Sequence, residues 1–252
     1  KPAIKYAEEG VPVHPRVALD WKLEGNNLSG TARDFYLIND NIPKIGQIFS
    51  APMQGEVLKY ISDQGAKGFY SGVVAEDFIS SLKELGGSHE LEDLHEVNAE
   101  YVNPISTSYR GYEVVELPPN GQGATALLML KLLERFDLSS MDPVGAERVH
   151  LEAEISKLAY SARDKFIGDP RVEDVNVDSF YSELFVNQLL DSIDIERVNQ
   201  HNFITAHNPH KDTVYLTAVD SEGMAVSLIF SIFDSFGTGL ASQKYGILFQ
   251  NR

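Results

Sequence analysis

The chain has 252 residues, no cysteine and a formal net charge of −16, from 37 Asp and Glu against 21 Lys and Arg. That acidic balance repels phosphate backbones and anionic membrane surfaces, and the missing cysteines exclude a disulfide framework, thiolate catalysis and Cys-ligated zinc or iron–sulfur centres. No apolar run approaches the roughly 20 residues that span a bilayer, so nucleic acid and a membrane segment are set aside as partners, while the compartment stays open.

Residues 1–45 read as irregular, with prolines at positions 2, 12, 15 and 43 and a turn-rich Gly25-Asn26-Asn27. A helix is predicted from near Met53, carrying Val57, Leu58 and Ile61 at helical spacing and stopping near Gly65. Gly68-Phe69-Tyr70-Ser71-Gly72 reads as a turn. A second amphipathic helix follows with Ala75, Phe78, Ile79, Leu82 and Leu85, and Gly86-Gly87 stops it. Residues 89–100 are acidic and read as a solvated helix face rather than a metal site. Tyr112 to Leu117 is a predicted strand, ended by Pro118-Pro119-Asn120-Gly121-Gln122-Gly123. Two helices are then expected: 124–136, with Ala126, Leu127, Leu130 and Leu133 inward, and 143–166, with Val149, Ala153, Leu158 and Ala159 inward. Tyr181 to Leu190 reads as another short helix, and residues 199–211 as an exposed polar loop. From Thr213 the texture turns β-branched: residues 213–219 and 224–232 form a predicted hairpin about the turn Asp220-Ser221-Glu222-Gly223, mostly apolar and therefore expected to be covered on both faces. Helices feeding a buried sheet imply an α+β or layered α/β/α architecture. The chain stops just after a strand-like run, Tyr245 to Phe249, which reads as a segment of a longer protein.

Four constellations bear on chemistry. The loop 119–124 sits between strand and helix like a phosphate cradle, but it lacks the Lys-Ser/Thr of a P-loop and the glycine spacing of a dinucleotide site, so it reads as tight helix entry. His201, His207 and His210 lack a visible third and fourth rigid ligand and read as solvated. Glu152 and Glu154, two apart on a helix, point to different faces and form no acid/base pair. Thr213 opens a strand directly after Asp212 and a polar loop. Were the 212–213 bond cut, its α-amine, with an unperturbed pKa of about 8, would serve as base for its own hydroxyl, making one residue both nucleophile and base. A strand-forming Thr is the ordinary alternative.

In shared order and spacing, several motifs resemble the γ-glutamyltranspeptidases, a family of N-terminal-nucleophile hydrolases. They are Pro2-Ala3-Ile4-Lys5-Tyr6-Ala7-Glu8-Glu9-Gly10, Gly68-Phe69-Tyr70-Ser71-Gly72, Tyr109-Arg110-Gly111-Tyr112 and Leu117-Pro118-Pro119. Glu154 to Arg163 with Gly168-Asp169-Pro170, Thr213 to Asp220, Gly223-x-Ala225-Val226-Ser227-Leu228 and Phe236-Gly237-Thr238-Gly239 continue the series. The resemblance implies an αββα sandwich made by a precursor that cuts itself before a threonine. Residues 1–212 would be the later part of the large subunit and 213–252 the start of the small one, so the two fragments of the precursor are each other's partners. It implies Thr213 as nucleophile, Asp212 and Thr213 as the cleavage site, and Ser231 as a supporting hydroxyl where transpeptidases usually carry Thr.

The substrate positions depart from the transpeptidase pattern. Phe233 stands where an Asn binds the donor's α-amino group, and Gln250-Asn251-Arg252 stands where the pattern has Asn-Asn-Gln. An aromatic ring accepts no such hydrogen bond, and an arginine repels an ammonium while matching carboxylate geometry; a salt bridge is the other reading of Arg252. Phe233 and Arg252 are therefore the candidate substrate-binding residues, and the sequence is similar to the acylase and oxamate-amidase branch. The family's upstream arginine and oxyanion-hole glycines fall outside the sequence. The expected activity is amide hydrolysis or acyl transfer through an acyl-enzyme on Thr213, with a small amide or γ-glutamyl substrate and neither metal nor organic cofactor. A true γ-glutamyltransferase or glutathione hydrolase, and a non-catalytic binding protein on the same fold, are the alternatives.

Overall fold

The structure, a computed structural model, describes residues 1–172, 175–199 and 213–251. They fall into two compact units, one holding residues 1–98 and 213–251, the other residues 99–199. The mixture of helices and antiparallel two-stranded sheets is α+β.

The first unit begins with α1 (Pro2–Glu9), β1 (Val11–Pro12), α2 (Pro15–Glu24), α3 (Thr31–Tyr36) and β2 (Ile48–Phe49). The irregular stretch expected over 1–45 is thus largely helical. Pro2 and Pro15 sit in first turns, where a missing N–H needs no partner and the fixed φ suits the helix. His14 caps α2, its Nδ1 accepting from Arg16 N at 3.3 Å. β1 pairs antiparallel with β2, Val11 opposite Phe49. Next come α4 (Pro52–Gln64), α5 (Lys67–Tyr70), α6 (Gly72–Glu84) and α7 (Leu91–His95). α4 and α6 match the predicted helices, whereas the expected turn at 68–72 contains the short helix α5. The acidic segment does form a helix, α7, whose residues are all solvated or half-buried; Glu90 and Asp93 close a capping box at its start.

The second unit starts with β3 (Ile105–Tyr109) and β4 (Tyr112–Glu116), joined through Arg110 and Gly111, both at positive φ, the geometry of a two-residue hairpin turn. It continues with α8 (Gly123–Leu133), α9 (Ala146–Phe166), α10 (Val177–Phe180) and α11 (Glu183–Leu190). A Cβ on Gly123 would lie 2.5 Å from Leu117 O, so the loop before α8 is a close-packed helix entry rather than an open cradle. The inward stripes match the prediction in part: Leu127, Leu158 and Ala159 are buried as expected. Ala126, Val149 and Ala153 are exposed and Leu130 and Leu133 only half-buried, while Leu128, Leu132, Leu151, Ile155 and Ala159 make the core with Val186 and Phe180. Leu-rich α8 is apolar on nearly every face, so periodicity alone leaves its rotation open. Glu154 is also inward: at 1% exposure it holds Lys157 Nζ at 2.7 Å and accepts from Asn199 N at 3.3 Å. Glu152 lies on a different face, paired with Arg148.

Back in the first unit, β5 (Val214–Val219) and β6 (Ala225–Phe230) form the predicted hairpin. Asp220 Oδ1 accepts from Glu222 N and Met224 N, each at 2.9 Å, and Gly223 takes φ +85° to close the turn. The expected cover is not there: every residue of both strands is exposed, because this sheet has two strands and nothing among the described residues buries either face. Nor is Tyr245 to Phe249 a strand. Lys244 N and Tyr245 N donate to the carboxylate of Asp77 on α6, and Gln243 N donates to Ser81 Oγ at 2.9 Å, which diverts the N–H groups a ladder would need. Only an isolated bridge, Ala241 to Leu248, remains.

Candidate functional site

The hairpin register places the site. Val214 pairs with Phe230, so one step outward Thr213 and Ser231 stand opposite each other. Thr213 Oγ1 donates to Ser231 Oγ at 3.2 Å, and Phe233 N donates to the same oxygen at 2.9 Å. Thr213 is exposed and Ser231 half-buried, so the threonine hydroxyl is open to an incoming group while its partner is held by backbone. Two hydroxyls brought together from the far ends of a hairpin are fixed by the Asp220 turn, because a one-residue slip would send one of them to the other face.

Beyond Ser231 the backbone makes a sharp turn. Phe233 is half-buried at φ +82°, a left-handed conformation unusual for an aromatic residue. A reciprocal clamp secures it: Asp234 N donates to Asn251 Oδ1 at 3.1 Å, Asn251 Nδ2 donates to Asp234 Oδ2 at 2.7 Å, and Asn251 N donates to Ile232 O at 3.2 Å. Gly237 then folds back at φ +53°, where a Cβ would meet Phe249 O at 2.1 Å. The segments ending in Phe233 and in Asn251 are thus tied side by side. Asp212 and Arg252 lie outside the described residues, as do His201, His207 and His210.

The sequence did not single out Asp234 or Asn251 as site residues. The available signal was the pairing of an acid three residues past Ser231 with an amide near the chain end, which only the tertiary fold connects. Among the described residues, buried Asp234 Oδ1 has no hydrogen-bond partner. Elsewhere, Asp169 of the Gly168-Asp169-Pro170 motif is pushed down to about 2 by hydrogen bonds from the Arg171 side chain and backbone. Among the described residues, no three His, Asp or Glu side chains gather as a metal-binding group.

Known proteins share this arrangement of elements. The γ-glutamyltranspeptidase family profile matches residues 1–252. A glutathione hydrolase-like proenzyme of Bacillus subtilis, YwrD, is 29% identical over 100% of this chain and 48% of its own length. The oxamate amidohydrolase proenzyme of Klebsiella pneumoniae is 31% identical over 99% of this chain and 47% of its own. Among solved structures, cephalosporin acylase from Bacillus halodurans superposes with a TM-score of 0.81 at 29% identity, over 100% of this chain and 47% of that one. The γ-glutamyltranspeptidase of Helicobacter pylori gives a TM-score of 0.70 at 28% identity, over 79% of this chain and 58% of that one. The fold is therefore that of the N-terminal-nucleophile hydrolases, of which this chain is a segment, and it spans about half the length of the curated relatives it matches. With the family profile covering all of its residues, the chain belongs to the γ-glutamyltranspeptidase family.

Proposed function

We propose that this chain carries the nucleophile of an autoprocessing amide hydrolase or acyltransferase, with Thr213 freed as an N-terminal residue. The observation that carries the reading is the 3.2 Å contact between Thr213 Oγ1 and Ser231 Oγ at the open end of the hairpin. Hydrolysis of the Asp212–Thr213 bond gives a carboxylate and a free α-amine. That amine takes the Thr213 hydroxyl proton as Oγ attacks an amide carbonyl. The tetrahedral adduct collapses to an ester on Thr213, and the amine product leaves with the proton. Water or an acceptor amine then attacks the ester and returns a proton to Thr213 Oγ. Ser231 lies where its hydroxyl supports Oγ through the charge change, and the amide of Phe233 orients Ser231.

Phe233 and Arg252 act as substrate-pocket residues that disfavour an α-ammonium group, so γ-glutamyl donors are poor substrates compared with simple amides. A second reading, glutathione hydrolysis, is favoured by the relatives named for it, among them the Escherichia coli proenzyme at 29% identity over 100% of this chain. The two are separated by turnover of a γ-glutamyl anilide: efficient cleavage by the full-length protein favours the second. The first test of both is intact mass with N-terminal sequencing after storage at neutral pH. Two fragments, the smaller beginning Thr213-Val214-Tyr215, are expected. One uncut chain moves the reading to a binding protein on the same fold.

A further inference from the structure

A cavity of about 300 Å³ opens in the first unit beside the turn that follows the hairpin, and its walls are four aromatic rings from four separate segments. Trp21 comes from α2, Tyr36 from α3, Phe49 from β2 and Phe236 from the turn five residues past Ser231. Trp21 meets Phe49 edge-on with centroids 4.8 Å apart and lies 5.9 Å from Phe236, while Tyr36 meets Phe236 edge-on at 6.0 Å. The rings are held from outside the cavity. Tyr36 Oη donates to Gly246 O at 2.8 Å, and the side-chain amide of Gln54 bridges the same two oxygens.

The volume is at the lower bound of the roughly 300–1,000 Å³ of small-ligand pockets, enough for one ring and a short tail. The rim sets the charge. Asp20 lines it, but both of its oxygens are taken by Arg16 Nε at 3.0 Å, which offsets the negative charge a cation would seek. An aromatic box with a neutralised rim favours an uncharged ring over an ammonium. Trp21 is 8% exposed, so its ring is fixed in the wall rather than lying open to solvent. We propose that this cavity binds a single uncharged aromatic ring. The ring is either part of the substrate or a free aromatic molecule.

Trp21 is the one tryptophan in the 252-residue sequence, and its emission is isolated by difference from a variant that lacks it. The experiment titrates phenylacetamide into the full-length protein bearing Thr213→Ala, where no chemistry occurs, and subtracts the spectrum of the same protein with Trp21→Phe. Binding then stands or falls independently of the proposed nucleophile. A saturable change in Trp21 emission is expected, with none from acetamide, which has the carbonyl but no ring. Val17, half exposed on the rim, gives a variant that fills the mouth without touching the core: Val17→Phe, its helical content checked by circular dichroism, is expected to weaken binding by about tenfold. No saturable change with phenylacetamide, an equal change with acetamide, or unaltered binding in Val17→Phe would each overturn the site. The source follows from turnover by the Thr213 enzyme: a KM raised by Val17→Phe for a phenylacetyl anilide but not an acetyl anilide assigns the ring to the substrate. Weakened phenylacetamide binding with both KM values unmoved assigns it to a free aromatic molecule.

Discussion

The helix pair α8–α9 and the hairpin β5–β6 are both rich in large apolar residues, and they end in opposite surroundings. Leu127, Leu128 and Leu132 on α8 are 0% exposed, and Leu128 and Leu132 close against Leu151, Ile155 and Ala159 of α9. On the hairpin, Val214 is 46% exposed, Ile229 62% and Val219 70%. The helices carry their own core, so their stability is internal. Among the described residues the hairpin is held by its ladder and its turn, and an apolar surface open on both faces is of the sort that marks a contact. Yet the hairpin is where two hydroxyls meet at the strand ends. The division is between a scaffold that holds itself and an exposed element that bears the proposed nucleophile. Substitutions in the two regions should therefore move different observables.

The sharpest contrast comes from Thr213→Ala. It removes a hydroxyl from an exposed residue, so the melting temperature should stay within about 2 °C of the parent. Chain cleavage should be abolished and amide turnover should fall at least about 1,000-fold, as loss of a nucleophile does. Full turnover in this variant would remove the hairpin from the chemistry. On the scaffold side, Leu128→Ala empties space that is wholly enclosed. It should cost about 2–5 kcal/mol in denaturant unfolding and leave turnover per folded molecule unchanged. A loss of rate without a loss of stability would erase the division.

Tyr36, on α3 in the hairpin's own unit, gives a test by pH. Burial, partly countered by the Gln54 side-chain hydrogen bond, pushes its phenol up to about 12. Because the folded pKa is above the unfolded value near 10, the stabilisation is complete below pH 10 and is lost as pH rises toward 12, when the unfolded chain ionises first. The window should cost about 3 kcal/mol. Tyr36→Phe should be less stable at neutral pH, having lost the bond to Gly246, but should show a correspondingly smaller fall between pH 10 and 12.

How far the sequence could be read follows the same division. The α4, α6 and α9 helices and the hairpin were legible because periodicity and the Asp220–Gly223 turn are local signals. The opposition of Thr213 and Ser231 follows from that turn, since closing it fixes every pair out to the strand ends. Prolines misled in the other direction. Pro2 and Pro15 start helices rather than break them, and a proline alone does not say which. The rotation of α8 was illegible because its apolar residues encircle it. The Asp234–Asn251 clamp and the ring walls at 21, 36, 49 and 236 are brought together only by tertiary folding, and no local pattern announces such pairings.

The smallest expected effect is also the finest test of the hairpin's role. Ser231 meets the Thr213 hydroxyl and is itself oriented by Phe233 N. Ser231→Ala removes the partner hydroxyl while leaving the nucleophile and the ladder in place, so cleavage should slow rather than stop. One hydrogen bond of about 1–2 kcal/mol corresponds to roughly a 5- to 30-fold loss of rate. Ser231→Thr keeps the hydroxyl, adding a methyl group at a half-buried position, and should restore most of that loss. Rescue by Thr with failure of Ala would assign the effect to the hydroxyl. An equal loss in both variants would mean that the volume of the residue, and not its oxygen, is what the turn requires, and the 3.2 Å contact would then be a consequence of the hairpin register rather than part of the chemistry.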